Sequence, residues 1–292
     1  MKIYLHNPGH NGDILHTLEI VRILIDSNPM YNFILVPACS SSLYNDLISE
    51  KVILQQHSVI WNINMKNIIV NNNIISKLHD ICWMYHDGDV FINLWKLLTD
   101  NNHNCISIIN RNEYIKNILL SIKQQYNIII NFNLIDYTDL IPVLPAVDVE
   151  PVINLLKSHK KKIVLFYNLT SMSGFDINIT NNEIIDYLKK KYNETEYLLL
   201  LVKPEHNKQI LNLENDYGIS ATVDGKNLIK YACIANSCDY VYFKINGGSQ
   251  FILNQTNINN SKNVNYNCIG NQDFYNVIIK EYKLNCNYIN SL

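Results

Sequence analysis

Asp13 is the side chain whose position in the sequence best suits proton transfer. It closes the loop Asn7-Pro8-Gly9-His10-Asn11-Gly12-Asp13, which follows the apolar run Ile3 to Leu5 and leads into a segment with His16 and Thr17 one turn later. Gly9 and Gly12 permit tight turns and close ligand approach, while a helix start offers N–H groups to an anion or a hydroxyl-bearing substrate. A carboxylate there serves as a general base or as an ordinary helix cap, and residue type alone leaves both open.

Three further segments carry groups suited to a phosphorylated ligand. In Asp239 to Phe251, an apolar stretch delivers Asn246-Gly247-Gly248-Ser249-Gln250 to a helix start. Small residues there let backbone N–H groups face a diphosphate, and Ser249 adds a hydroxyl. The loop Asn168-Leu169-Thr170-Ser171-Met172-Ser173-Gly174 is dense in hydroxyls, without the lysine-bearing pattern of a P-loop, and also reads as a plain surface loop. Lys203-Pro204-Glu205-His206 ends another apolar run. Glu205 suits a ribose hydroxyl, although Pro and Glu are equally common in a first helical turn.

Two metal-like groupings read as structure instead. Asp87-Gly88-Asp89 precedes a strand rather than ending one, which argues for a turn. His79, Cys82 and His86 lack a fourth partner at a zinc-site spacing. From these groupings no metal and no cofactor is expected.

The elements that must position these residues alternate along the chain. Ile14, Leu18, Val21 and Ile25 share one helical face, with Asp13 at the expected N-cap and Asn28-Pro29 ending the helix between strands at Ile3 to Leu5 and Phe33 to Pro37. Strands are expected at Val52 to Leu54, Ile68 to Val70, Val90 to Leu94, Ser107 to Ile109 and Ile128 to Asn131, and helices near Ser41 to Ser49 and Asn112 to Gln124. Three prolines between Leu140 and Pro151 suggest a joint, giving domains 1–148 and 149–292. Beyond it, strands are expected at Lys162 to Tyr167, Tyr197 to Val202, Ile219 to Val223, Tyr240 to Lys244 and Val264 to Ile269. Helices are expected at Asn181 to Lys191, Glu205 to Asn215, Asn227 to Ala235, from about Gln250, and at Asp273 to Leu284. This alternation predicts an α/β chain of two Rossmann-like domains with parallel sheets, binding at strand C-terminal ends in a central cleft.

Composition narrows the function classes. Of 292 residues, 48% are hydrophobic, enough for a substantial core, and a net charge of −2 with no basic stripe speaks against nucleic-acid binding. Apolar runs fall short of a membrane span, and the opening MKIYLHNP resembles no signal peptide. Seven cysteines without a CxxC pair fit a reducing, cytoplasmic setting. The 45 Asn and 44 Ile against only Arg22 and Arg111 reflect codon bias, and the Asn-rich tracts read as solvated loops.

At GDILHT, residues 12 to 17, the sequence resembles the heptosyltransferase-like glycosyltransferases of family 9, whose first helix is entered through a similar Gly-Asp-x-x-x-Thr segment. LIKYACIANSCDYVYFKINGGSQF resembles that family's helix, strand and glycine loop over the donor nucleotide. The resemblance implies a GT-B fold and inverting, metal-independent transfer from a nucleotide sugar to a glycan or other hydroxyl-bearing acceptor. It implies that Asp13 is the base, with His10, Asn11, Gly12 and His16 at the acceptor. Asn168, Thr170, Ser171, Lys203, Glu205, Asn246, Gly247, Gly248, Ser249 and Gln250 would meet the donor. Asn246 replaces the family's usual acidic residue, Phe251 stands near its usual His, and no Lys lies between Asn168 and Gly174. A nucleotide-sugar epimerase of the same fold and a noncatalytic sugar- or nucleotide-binding module are the competing readings.

Overall fold

The computed structural model describes residues 1–55, 69–70, 73–74, 82–99, 108–169, 179–205, 209–220, 224–270, 272, 275–279 and 281–292. The chain divides into two compact units, Met1–Pro142 and Val143–Leu292.

In the first unit, β1 (Lys2–Asn7), β2 (Asn32–Pro37), β3 (Val52–Leu54), β6 (Trp83–His86) and β7 (Asp89–Asn93) form one sheet in the order β3-β2-β1-β7-β6. A separate antiparallel pair joins β4 (Ile69–Val70) to β5 (Asn73–Ile74). The pairings of β1 with β2 and β7, and of β2 with β3, are parallel. Central β1 has only Lys2 and Tyr4 outside the buried set, as expected of a strand covered on both faces.

The sheet departs from the all-parallel expectation at β6, which pairs antiparallel with β7. Asp87 and Gly88 hold φ of 52° and 85° between them, the two-residue turn whose twist suits a hairpin. The Asp-Gly-Asp segment is therefore a hairpin turn, and Asp89 Oδ1 accepts from the Lys2 N–H at 2.6 Å.

The helix α1 (Asn11–Asp26) connects β1 to β2. Its N-cap is His10 rather than Asp13, so the helix starts earlier than expected, and Asp13 occupies the third helical position. The Ser107 to Ile109 strand gives way to a longer helix: α2 (Leu94–Thr99) is followed by α3 (Ile108–Tyr126), with Ser107 outside the described residues. Residues Ile128 to Asn131 form no strand. Asn28, fully buried, holds this stretch by donating to Asn131 O (2.8 Å) and accepting from Asn131 N (2.8 Å), while Tyr31 donates to Ile129 O. The Ser41 to Ser49 helix is a 3-10 segment, Ser41–Leu47.

In the second unit, β8 (Lys162–Tyr167), β9 (Tyr197–Leu201), β10 (Leu211–Asn212), β11 (Tyr240–Lys244), β12 (Asn265–Ile269) and β13 (Cys286–Ile289) form a fully parallel sheet. Its order is β10-β9-β8-β11-β12-β13, the doubly wound order in which the chain reverses direction across the sheet between β8 and β11. The helix α4 (Glu150–Ser158) starts inside the proline-rich stretch, with Pro151 in its first turn, where a missing N–H costs nothing. The helix α5 (Asn181–Lys191) begins with a reciprocal cap: Thr180 N donates to Glu183 Oε2 (2.7 Å) and Glu183 N to Thr180 Oγ1 (3.2 Å). The helix α6 (Gly225–Ala235) precedes β11.

Two expectations fail in this unit. The Glu205 to Asn215 helix is replaced by the two-residue β10 and a turn, and His206 lies outside the described residues. Ile219 and Ser220 have no regular structure, residues 221–223 lying outside the described set. The terminal helix expected at Asp273 to Leu284 is present in part: Gln272 and Glu281 are helical and Tyr275–Ile279 form a π-helical turn, Asp273 lying outside the described residues, and β13 follows as a sixth strand. After β11 comes a 3-10 turn, Ser249–Ile252, and then α7 (Gln255–Asn260). No helix among the described residues is long and apolar enough to cross a membrane.

Candidate functional site

In each unit the residues of interest collect at the C-terminal edge of the sheet, beside the strand where the topology reverses. In the first unit, fully buried Asn7 ends β1 and organises the loop beyond it. Its Oδ1 accepts from Gly9 N (3.0 Å), and its Nδ2 donates to Thr17 Oγ1 (2.9 Å) and Asp13 O (3.2 Å). One asparagine thereby ties the strand end to the first turn of α1.

Asp13 is half-buried, and its Oδ2 accepts from His10 N at 2.8 Å, capping the helix from its third residue. No hydrogen bond reaches its Oδ1 among the described residues. Burial pushes this carboxyl above the ordinary range, opposed by the His10 N–H bond and by the nearby imidazole. A carboxylate with a raised pKa is a better proton acceptor than a solvated one. Gly9 belongs to the same construction: a Cβ there would stand 2.6 Å from both Asp13 Cβ and Trp95 Cδ1, so only glycine lets the loop lie between them.

Of the other expected acceptor residues, His10 is exposed, Asn11 is half-buried and Gly12 is buried. His16 is 7% exposed, with its carbonyl accepting from Arg111 Nη1 at 3.1 Å, and has little surface to offer a substrate. Trp95, Cys39 and Ser40 also belong to this locus, which sequence reading missed. Cys39 Sγ donates to Gly9 O at 3.5 Å. Burial pushes the Cys39 thiol up, the Ser40 hydrogen bond lowers it, and the Asp13 carboxylate adds to the rise.

In the second unit, Asn168 follows β8 and is fully buried. Its Oδ1 accepts from Val202 N and Lys203 N, both at 3.0 Å, and its Nδ2 donates to Lys203 O (2.8 Å) and Glu205 Oε1 (3.0 Å). Asn181, at the start of α5, adds donations to Glu205 Oε1 (2.7 Å) and Asn168 O (3.1 Å). Asn168, Lys203 and Glu205 are thus brought together, with the Glu205 carboxylate held by two amides. Thr170 and Ser171 lie outside the described residues.

The Gly247-Gly248 loop after β11 is largely self-satisfied. Asn246 Oδ1 accepts from Gly248 N (3.0 Å) and Ser249 N (2.9 Å), and Ser249, 1% exposed, spends its hydroxyl on Asn246 O (3.1 Å). The two N–H groups and the hydroxyl that seemed available to a diphosphate are therefore occupied, and the Gly247 N–H has no partner among the described residues. Gln250 is half-buried and its N–H donates to Asn246 O at 3.2 Å. Asn246 Nδ2 donates to Leu169 O (3.2 Å), joining this loop to the one after β8 across the reversal point. A Cβ on Gly248 would stand 2.9 Å from Leu169 Cδ1, so the two loops pack in direct contact. Among the described residues no group of three His, Cys, Asp or Glu could hold a metal ion.

Three solved glycosyltransferases are similar to this chain. A glycosyl transferase of family 9 from Veillonella parvula DSM 2008 is 12% identical, with a TM-score of 0.49, covering 99% of this chain and 86% of its own. The E. coli ADP-heptose lipopolysaccharide heptosyltransferase II is 10% identical, with a TM-score of 0.43, over 100% of this chain and 91% of its own. The E. coli heptosyltransferase WaaC with ADP is 10% identical, with a TM-score of 0.41, over 92% of this chain and 87% of its own. No family model matches the sequence, and no curated protein matches it. Identities this low carry no residue roles across.

Proposed function

We propose that the protein is a glycosyltransferase of the two-lobed GT-B type, inverting and metal-independent, which moves a sugar from a nucleotide donor to an acceptor hydroxyl. The observation that carries this reading is Asp13: a half-buried carboxyl at the C-terminal end of β1, its pKa raised by burial and one oxygen anchored by the His10 N–H. In the reaction, Asp13 accepts the proton of the acceptor hydroxyl while that oxygen bonds to the anomeric carbon. The bond from this carbon to the diphosphate breaks, its electron pair leaving with the nucleoside diphosphate. Positioning of the two reactants supplies much of the rate.

On the donor side, Glu205, held by Asn168 and Asn181, takes the ribose hydroxyls. The diphosphate is assigned to the Gly247 N–H and Lys203, together with the hydroxyls of Thr170 and Ser171, which lie outside the described residues. Gly248, Ser249 and Asn246 serve by shaping that loop, since their own donors are engaged. The acceptor lies against His10, Asn11 and Gly12. This self-satisfied loop also favours a second reading, a noncatalytic module that binds a sugar or nucleotide.

A thermal-shift screen against free nucleotides and nucleotide sugars tests the donor site, because a ligand bound only by the folded chain raises its melting temperature. The reading expects a shift with at least one nucleotide sugar, followed by release of its nucleoside diphosphate when an acceptor is added. A shift without release supports the binding module, and an epimerised sugar nucleotide formed with donor alone contradicts transfer. No shift with any compound contradicts both site readings.

A further inference from the structure

Three successive residues of the turn that leaves β2 grip alternate residues of the Asp13 loop. Ala38 N donates to Asn7 O at 2.8 Å, Cys39 Sγ to Gly9 O at 3.5 Å, and Ser40 Oγ to Asn11 Oδ1. Trp95 presses from another side, its Cδ1 2.6 Å from where a Gly9 Cβ would stand. The loop therefore has little slack around Asp13.

Ser40 holds a left-handed backbone, φ 48° and ψ 34°, and is 8% exposed. That region is costly for a residue with a Cβ and comes without penalty to glycine. A turn that needed only to reverse the chain would be better served by glycine. Serine bears the strain and in exchange keeps a hydroxyl that holds the Asn11 side chain, with the amide NH2 turned away from it. Strain retained where a glycine would relieve it marks a position with work beyond the turn itself.

We infer that Ser40 is a positioning residue for the base loop, fixing Asn11 and with it the seat of Asp13 at the start of α1. The inference rests on Asp13 acting as the base. Ser40 touches neither reactant; it acts through Asn11.

Ser40→Gly and Ser40→Ala test this in the full chain, because both remove the hydroxyl and only glycine relieves the backbone. One readout needs no substrate: the rate at which iodoacetamide alkylates the Cys39 thiolate, taken from its pH dependence by mass spectrometry because loss of the Ser40 hydrogen bond alone raises the thiol's pKa, with buried Cys238 and Cys268 as controls for global opening. The other is the pH profile of kcat for nucleoside diphosphate release, using the nucleotide sugar that gives the largest thermal shift.

Ser40→Gly is expected to melt at or above the parent temperature, yet to alkylate faster at Cys39 alone and to lose about tenfold or more in kcat as the base shifts from its attack position. Its acid limb moves to lower pH as water reaches Asp13. Ser40→Ala shows the same kinetics with a lower melting temperature. A Ser40→Gly protein with parental alkylation and an unchanged profile overturns the inference and leaves Ser40 as a turn residue. Asp13→Asn run alongside separates the two levels. If that variant turns over normally while the Ser40 variants still expose Cys39, the base assignment fails and the clamp stands as a structural device only.

Discussion

Replacing Asn168 by alanine removes four hydrogen bonds from one fully buried side chain. At about 1 kcal/mol net for each, the loss is about 4 kcal/mol, and the buried Val202 N–H is left without an acceptor. Water reaching the half-buried Lys203 backbone returns part of this, leaving roughly 3 kcal/mol. For a unit of this size that corresponds to a fall of roughly 6–12 °C in melting temperature, readable by calorimetry or differential scanning fluorimetry. Asn168→Asp is the informative companion. It keeps acceptors for Val202 N and Lys203 N but sets a second carboxylate against Glu205 Oε1 and the Lys203 carbonyl. Like charges raise each other's pKa, so the folded pair holds a proton that the unfolded chain has released. Its stability is then recovered on acidification and lost as pH rises, and the variant melts higher at about pH 5 than at about pH 8. An Asn168→Ala protein melting within about 1 °C of the parent would refute the claim that this residue ties together the ends of β8 and β9.

Other substitutions probe the same construction. Asp13→Asn keeps an oxygen for the His10 N–H and discards a carboxylate that burial disfavours; the folded-state pKa is raised, so the charge costs stability increasingly as pH climbs through it, and the variant melts at or above the parent temperature at neutral pH. Gly248→Ala has an ordinary backbone angle but drives a methyl to 2.9 Å from Leu169 Cδ1 and 3.1 Å from Leu228 Cδ2, costing about 1–2 kcal/mol in a denaturant titration. Gly88→Ala meets open space yet must hold φ of +85°, so a loss of about 1 kcal/mol arises from the backbone alone.

Much of the frame was legible because its elements announce themselves locally. The run Lys162 to Tyr167, the capped helix Asn181–Lys191 and the strand Tyr240–Lys244 stand where the sequence places them, since burial on both faces or a 3.6-residue period leaves a clear pattern. The misses depend on partners distant in the chain. Ile128 to Asn131 is apolar enough for a strand, but Asn28, about a hundred residues earlier, bonds both backbone groups of Asn131, and Tyr31 takes the Ile129 carbonyl. The edge strand Trp83–His86 has one neighbour, β7, and only Met84 of its four side chains is buried, which weakens any alternation.

Asparagine was the most misleading residue type. The Asn-rich tract Asn257 to Asn260 reads as a solvated loop, yet it lies in α7 with Asn257 buried and bonded to Ala232 O, and outside the tracts Asn7, Asn28, Asn168 and Asn246 are buried and each bonds backbone groups around it. Asn7 and Asn246 use one device, an oxygen accepting from the N–H of a glycine two residues on, at the exits of β1 and β11. The spacing Asn-x-Gly was visible in both loops. What it implied, that the glycine N–H is consumed internally rather than offered to a ligand, follows from the side chain being folded inward, which composition does not reveal.

The central claim is that Asp13 removes the proton from an acceptor hydroxyl. It is tested most directly by kcat for nucleoside diphosphate release, with saturating donor and acceptor, in the parent and in Asp13→Asn across pH. The account predicts a loss of about 10²-fold or more in the variant with donor binding retained, and a parental acid limb that lies above the ordinary aspartate range and disappears in the variant. A variant that binds donor and keeps the parental rate and pH profile would contradict it.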